Sequence, residues 1–486
     1  MSLTAAPYAV GFQSLTEERS PTPLAVAGQL PTWLRGTLLR TGPALFDIDG
    51  QAYRHWFDGL AMLYRFDFQA AGTVQYSNRC LRSGAYCEAQ AQGEIWRPEF
   101  ATRPQRSLWQ RLFSQRPVTD NGNVSVTVMA GQPVAVTETP QPCQFRPNSL
   151  ETMGPLQFDD DLAGQVTTAH PHIDFERGEL ISYIIQFGRQ STYQFYAQSL
   201  KGDRRRRLAA VPVDQPAYLH SFGLTPNYIV LVEFPLRVNP LRLATSRFHN
   251  TPFIENYRWQ PALGTQFHLI SRATGEVVNT AQAEPLFSFH HVNAYETGDA
   301  VVVDLSAYQD AAIIQQFYLD ALRGGQDTRP AHANLRRCWV PLTGDTVEMT
   351  MLAEALAEVP RINYQRCNGR PYRYVYGGDS SLDLSVLDRL VKVDVEARTT
   401  ALWQAPATYP GEPVFVSAPD AVEEDEGVVL SVVLDAVAER SYLLVLDAQT
   451  FTEQARILLP HVVPFHFHGQ YFDNPDRPAN NPHLHR

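Results

Sequence analysis

The chain has 486 residues, of which 44% are hydrophobic and 19% charged, and a formal net charge of −11. That length and apolar content suffice for a large buried core. The acidic balance excludes a nucleic acid as partner, because phosphate recognition needs a basic face.

Five scattered cysteines (Cys80, Cys87, Cys143, Cys338 and Cys367), none in a CxxC pair, argue against a disulfide framework or a cysteine zinc site. They predict free thiols and a reducing, cytoplasmic setting. The two lysines, Lys201 and Lys392, fall in hairpin-like segments, which makes Schiff-base chemistry a poor expectation. The opening residues, MSLTAAPYAVGFQSLTEERS, lack the charged-then-apolar pattern of a signal peptide. No apolar run approaches the ~18 residues of a spanning helix. The expectation is a protein that stays in solution or rests on a membrane surface.

Frequent proline (35) and glycine (29), with 11% aromatics, suit many short strands joined by turns. In chain order, six segments read as strand, small turn, strand: 63–81, 193–213, 267–280, 338–354, 390–405 and 442–459. Near-continuous apolar strands lie between them: ELISYIIQF, NYIVLVEF, DAVVVDLSAY and GVVLSVVLD. Helical periodicity is concentrated in DAAIIQQFYLDALRGG (310–325), which ends on glycines able to cap it. Arg204 to Arg207 and EEDEG (423–427) read as solvated turns. Buried strands alternating with hairpins predict propeller blades, and the irregular period excludes a consensus repeat. No proline- or serine-rich linker divides the chain, so residues 1–486 are expected to form a single all-β domain with long loops on one face.

Histidine recurs in four similar settings: TAHPHID, YLHSFGLTPNY, FSFHHVNAYE and PFHFHGQYF. His170, His220 and His290 each precede an apolar strand by a loop of roughly ten residues. Equivalent blade loops converge on a propeller axis, so four such histidines can meet there. An all-imidazole shell suits iron, copper or zinc, and ligand type alone does not choose among them. Carboxylates that accept the outer ring N–H would orient the rings and offset the charge of a divalent ion. Glu138, Glu358 and Glu412 are candidates, Glu412 being the least expected in its apolar surroundings. There is no HExxH, GxSxG, P-loop or glycine-rich dinucleotide motif.

These motifs together resemble the carotenoid cleavage oxygenases. The likeness runs from LPTWLRGTLLRTGPALFD (30–47) through HWFDGLAMLYRFDF, TAHPHID, LHSFGLTPNYIVLVE, FHHVNAYE and PRINYQRCNGRPYRYVYG to the final FHFHG. The wording is nearer the animal branch, which includes the retinoid isomerohydrolase. The resemblance implies a seven-bladed β-propeller, with long loops and a few helices capping the metal-bearing face. It implies ferrous iron, Fe(2+), held by His170, His220, His290 and His468, with His172, His291 and His466 as neighbours. It assigns Glu138, Glu358 and Glu412 to the outer nitrogens of His220, His290 and His468.

The implied reaction is oxidative cleavage of a conjugated C=C bond in a carotenoid or apocarotenoid, giving aldehydes, with dioxygen as co-substrate and no protein partner. The alternatives are a non-oxidative isomerohydrolase, a stilbene-cleaving dioxygenase and a non-catalytic carotenoid-binding propeller. Stilbene-cleaving relatives carry a lysine before the first of these glutamates and a tyrosine earlier in the cavity. Here Thr137 precedes Glu138 and Phe100 falls at the tyrosine position, which favours a polyene. Two departures stand out. RPQRSLWQRLFSQ (103–115) replaces the animal Pro-Asp-Pro-Cys segment, and six hairpins are readable where the family has seven blades. Closure is expected to join the N-terminal strand to the last blade. RSLWQRLFSQ and FPLRVNPLRLA (234–244) interleave arginine with large apolar residues, which suits peripheral contact with a lipid surface.

Overall fold

β-Branched runs decide where the backbone extends in this chain. The computed structural model describes residues 6–107, 109, 117–324, 333–381 and 386–476. DAVVVDLSAY forms the strand Ala300–Tyr308, buried throughout, and GVVLSVVLD forms Gly427–Asp435, buried except at its ends. All six expected hairpins pair antiparallel, Leu60–Phe68 with Val74–Cys80 being the first and Arg440–Asp447 with Glu453–Leu458 the last. A further hairpin, Ser125–Met129 with Gln132–Val136, turns on Ala130 (φ 50) and Gly131 (φ 74). Two positive φ values match the right-handed twist of a two-residue hairpin. Pro133 at its start hides this hairpin from a strand-pattern reading.

The expected count of seven blades is corrected by the sheet topology. The described residues form five free-standing, propeller-like blades of four or five strands, and a ten-stranded sheet that joins the two ends of the chain. The strand Arg19–Gly28 causes the difference. Ala25 to Gly28 pair with the last hairpin, from Leu458 back to Ala455, and Arg19 to Leu24 pair with Val74–Cys80. Hydrogen bonding therefore runs unbroken from the C-terminal hairpin into the N-terminal one. The N-terminal strand does join the last hairpin. The final strand, Gly469–Phe472, returns to pair with Gly36–Leu45.

The expected helix over 310–325 is two short ones, Ala312–Gln316 and Leu319–Leu322. Tyr318 between them is extended (φ −67, ψ 137) and bridges to His55, while the Trp56 N–H donates to the Phe317 carbonyl. Tertiary pairing outcompetes helical periodicity there. No helix among the described residues is long and apolar enough to cross a membrane.

Four of the five blades carry a short strand at or near their start, and three of these strands follow a histidine singled out above. The strands are His172–Asp174, Gly223–Leu224, His291–Glu296 and Glu358–Arg361. The joint between the chain ends makes a testable demand on Gly28. It lies at φ +97, and a Cβ there would sit 2.2 Å from the Gln454 carbonyl oxygen. Gly28→Ala should cost about 1–3 kcal/mol, read as a lower denaturant midpoint at unchanged slope. An unchanged midpoint would show that the N-terminal strand contributes little to the joint.

Candidate metal centre

Four of the histidines singled out in the sequence converge. One ring nitrogen from each of His170, His220, His290 and His468 lies within 4.8 Å of the others. The chain delivers them alike. His170, His220, His290 and His468 each stand one to three residues before a strand. Strand pairing thus fixes the backbone, and the side chain projects from the last irregular residues.

The outer nitrogens are tied down. His220 Nδ1–H donates to Glu138 Oε1 at 2.6 Å, His290 Nδ1–H to Glu358 Oε1 at 2.5 Å, and His468 Nδ1–H to Glu412 Oε1 at 2.7 Å. No described carboxylate hydrogen-bonds His170. Each carboxylate selects a tautomer in which Nδ1 carries the proton and Nε2 keeps its lone pair. The inward nitrogens crowd together: the Nε2 atoms of His170 and His220 are 2.9 Å apart, and the two lone pairs of His290 and His468 face each other at 3.3 Å. Burial and then the neighbouring rings hold His170 and His290 well below the ordinary imidazole pKa, and burial pulls His468 down to about 4. Neutral rings with converging lone pairs repel. A cation at their centre removes the conflict, so the donor set fits a metal ion.

The neighbouring histidines have other work. His291 Nδ1 meets the Ser221 hydroxyl at 2.7 Å, and His172 bonds the Tyr364 hydroxyl and the Phe222 carbonyl. His466 Nδ1–H donates to the Pro464 carbonyl at 3.2 Å. None of the three belongs to the cluster.

The three glutamates differ in their surroundings. Glu138 also accepts from the Tyr218 hydroxyl at 2.9 Å. Burial pushes Glu358 up to about 7. Burial alone would also raise Glu412, but Arg361, His468 and Arg40 together hold it below the usual carboxylate range. Arg361 Nε donates to Glu412 Oε1 at 2.8 Å, and Arg40 Nη1 lies 3.3 Å from Oε2. The sequence reading missed Tyr218, Arg40 and Arg361. The spacing YLH, with a tyrosine two residues before a histidine, is the one local signal for Tyr218. Nothing local marks Arg40, a polar residue within the strand Gly36–Leu45.

A cavity of about 1060 Å³ opens onto this cluster, with His220, His290 and His468 in its wall. Phe57, Phe100, Phe289, Phe317 and Phe467 line it, and the Phe57 ring centroid is 5.2 Å from Phe100 and 5.1 Å from Phe467. Thr137 lies in the wall, its Oγ1 3.5 Å from Asn123 Oδ1. Glu99, overlooked in the sequence, also lines the cavity and accepts from Thr119 Oγ1 at 2.8 Å. Its burial raises it well above the usual carboxylate range. The arrangement offers a metal-sized donor set at one point of a long aromatic chamber.

The family model described as retinal pigment epithelial membrane protein matches residues 11–473. The chain belongs to this family, the carotenoid cleavage oxygenases. It is 34% identical to the carotenoid isomerooxygenase of Galleria mellonella, over 94% of both chains. It is 31% identical to the human mitochondrial carotenoid-cleaving dioxygenase, over 94% of this chain and 89% of that one. Among solved structures, cobalt-substituted Synechocystis apocarotenoid oxygenase superposes with a TM-score of 0.86 at 30% identity, covering 96% of this chain and 98% of that one. Relatives in this family thus carry both oxygenase and isomerooxygenase names.

The glutamates should separate by their partners. Glu412→Gln leaves the fully buried Arg40 and the partly buried Arg361 facing a neutral amide, whereas Glu138→Gln strands no cation. The first should destabilise the metal-free protein by about 3–5 kcal/mol, and the second by clearly less, in urea titrations. Equal losses would mean that the arginines do not depend on Glu412.

Proposed function

We propose that this chain is an iron(II)-dependent dioxygenase that cleaves a conjugated C=C bond of a carotenoid or apocarotenoid into two aldehyde-type products. The observation that carries the reading is the convergence of four imidazoles, three of them in the wall of a cavity lined by several phenylalanines. In this reading residues 1–486 act as one domain. His170, His220, His290 and His468 hold the metal, and Glu138, Glu358 and Glu412 orient the last three. Ferrous iron, when bound, supplies the electronic coupling that lets ground-state dioxygen react with an alkene.

The chain's own residues do the rest. The phenylalanine walls bury the polyene and keep water from the reacting bond. The depth and curvature of the chamber select which double bond reaches the four histidines. The carboxylates retain the Nδ1 protons and keep the rings aimed. Both oxygen atoms of dioxygen balance the two new C=O groups, and the alkene supplies the electrons, so no external reductant enters.

Phe100 and Thr137 act as substrate contacts. Neither offers a phenol the charged or phenolic partner that stilbene recognition uses, and the aromatic wall suits an unsubstituted polyene. Replacing any one of the four histidines by Ala should abolish turnover and drop iron content, whereas His291→Ala should retain iron. Iron retained by His290→Ala and lost by His291→Ala would reverse the ligand choice. A C30-range apocarotenal should be turned over far better than a hydroxystilbene, scored by mass spectrometry of the aldehydes and by oxygen uptake. Efficient stilbene cleavage with no apocarotenal product, or product without oxygen uptake, would count against the assignment.

The reading includes a cytoplasmic location with peripheral contact to a lipid surface. Support comes from the free cysteines and from exposed apolar side chains: Trp109, with Leu241 and Phe248 on the helix Pro240–His249. Leu108 and residues 110–115 of RSLWQRLFSQ lie outside the described residues. Leu241→Asp with Phe248→Asp should reduce liposome flotation. Undiminished flotation would locate any lipid contact elsewhere.

A further inference from the structure

The fourth histidine is held differently from the others. It ends the stretch 459–468, which includes no helix or strand, just before the four-residue strand Gly469–Phe472. Arg40 Nη2 donates to the Phe467 carbonyl at 2.8 Å, and Arg361 Nη2 donates to the Gly469 carbonyl. The carbonyls on both sides of His468 are therefore each gripped by a guanidinium. The same two side chains meet opposite oxygens of Glu412, which accepts from His468 Nδ1 through Oε1 and from the Gly469 N–H at 2.9 Å through Oε2. The loop of contacts closes on itself: two arginines, one carboxylate and three consecutive residues.

Sequence makes room for it. A Cβ on residue 469 would lie 2.4 Å from Arg40 Cγ, so the glycine of FHFHG is what lets Arg40 pass. Arg40 and Gly469 are direct partners across the strand pair. Arg40 and Glu412 are fully buried, whereas the Arg361 side chain is 24% exposed. Among the described residues, no cation contacts Glu138 or Glu358 in this way. Fork-shaped guanidinium groups suit such a task, since each fixes two acceptors in one plane.

We infer that Arg40 and Arg361 are positioning residues that act through Glu412 to lock His468 and to more than offset that glutamate's charge. Without the arginines, a buried carboxylate would bring its full negative charge to the His468 ring. With them, Glu412 orients the ring while Glu138 and Glu358 remain to balance a divalent ion. This inference rests on the metal-site reading above.

The test is metal release from the loaded enzyme under excess chelator, with absorption of the cobalt-loaded protein as a second readout. Arg361→Gln should release metal about tenfold faster and shift the cobalt bands, while the metal-free protein melts near the parent temperature. Arg361→Lys retains charge but not the fork, so its release rate should lie between the two. If Arg361 acts through Glu412, combining Arg361→Gln with Glu412→Gln should give release no faster than Glu412→Gln alone. Release at the parent rate in both single Arg361 variants overturns the inference, as does a fully additive double variant. A parent protein that takes up no metal overturns the metal-site reading and this inference with it. Metal bound normally, with Arg361 variants unaffected, overturns the inference alone.

Discussion

The arrangement of this molecule turns on the proton at Nδ1. An imidazole has one proton to place, and a buried carboxylate decides where it goes. With Glu138, Glu358 and Glu412 each accepting from a histidine Nδ1, three inward nitrogens are left as bare lone pairs, and they face the ring of His170. Such a set is unstable by itself and stable around a cation. The surrounding sheets make that arrangement rigid. Each histidine stands within three residues of a paired strand, so the inward nitrogens are placed by backbone hydrogen bonds rather than by flexible side-chain choice. The cost of holding carboxylates and imidazoles out of water is met by the strand scaffold as a whole.

The aromatic chamber and the polar cluster need each other. Water entering the cavity would solvate the glutamates and weaken their hold on the rings, because charge-assisted hydrogen bonds are stronger where the dielectric is low. The phenylalanines nearest the cluster give the cavity an apolar surface there, the kind against which a hydrocarbon chain binds well. One constraint therefore serves both purposes.

Much of this was legible in the chain, and the failures have physical causes. The hairpins were readable because strand periodicity and turn residues are local. The two-residue turn at Ala130 and Gly131 escaped because Pro133 broke the pattern that marks a strand. The blade count escaped for a deeper reason. Arg19–Gly28 pairs with one strand over half its length and with another over the rest, and nothing in ten residues of sequence declares two partners. The helix over 310–325 had a sound period, yet Tyr318 breaks it to reach His55, a contact between residues far apart in the chain. Histidines were conspicuous because one residue type recurred in one context. Arg40 and Arg361 were not, since an arginine inside a strand pattern looks like any polar interruption until its partners are known. Glu99 was hidden in the same way between Pro98 and Phe100.

The unequal treatment of the three glutamates follows from where the chain supplies each histidine. His170, His220 and His290 lie within the body of the sequence, followed by strands that run on into the long apolar strands of their blades. His468 is carried by the last described strand, paired on one side with Gly36–Leu45 over only four residues. Its place at the edge of the ten-stranded sheet leaves its outer side unpaired among the described residues. Two guanidinium groups on its flanking carbonyls, and a carboxylate shared between them, add side-chain bonds to that pairing. Long cationic side chains are costly to bury, and burial indeed lowers the Arg40 guanidinium to about 10. At neutral pH it nonetheless stays charged. Its positive charge is what makes a fully buried Glu412 tolerable beside His468, and electrostatics there reinforce the four-residue pairing of the strand.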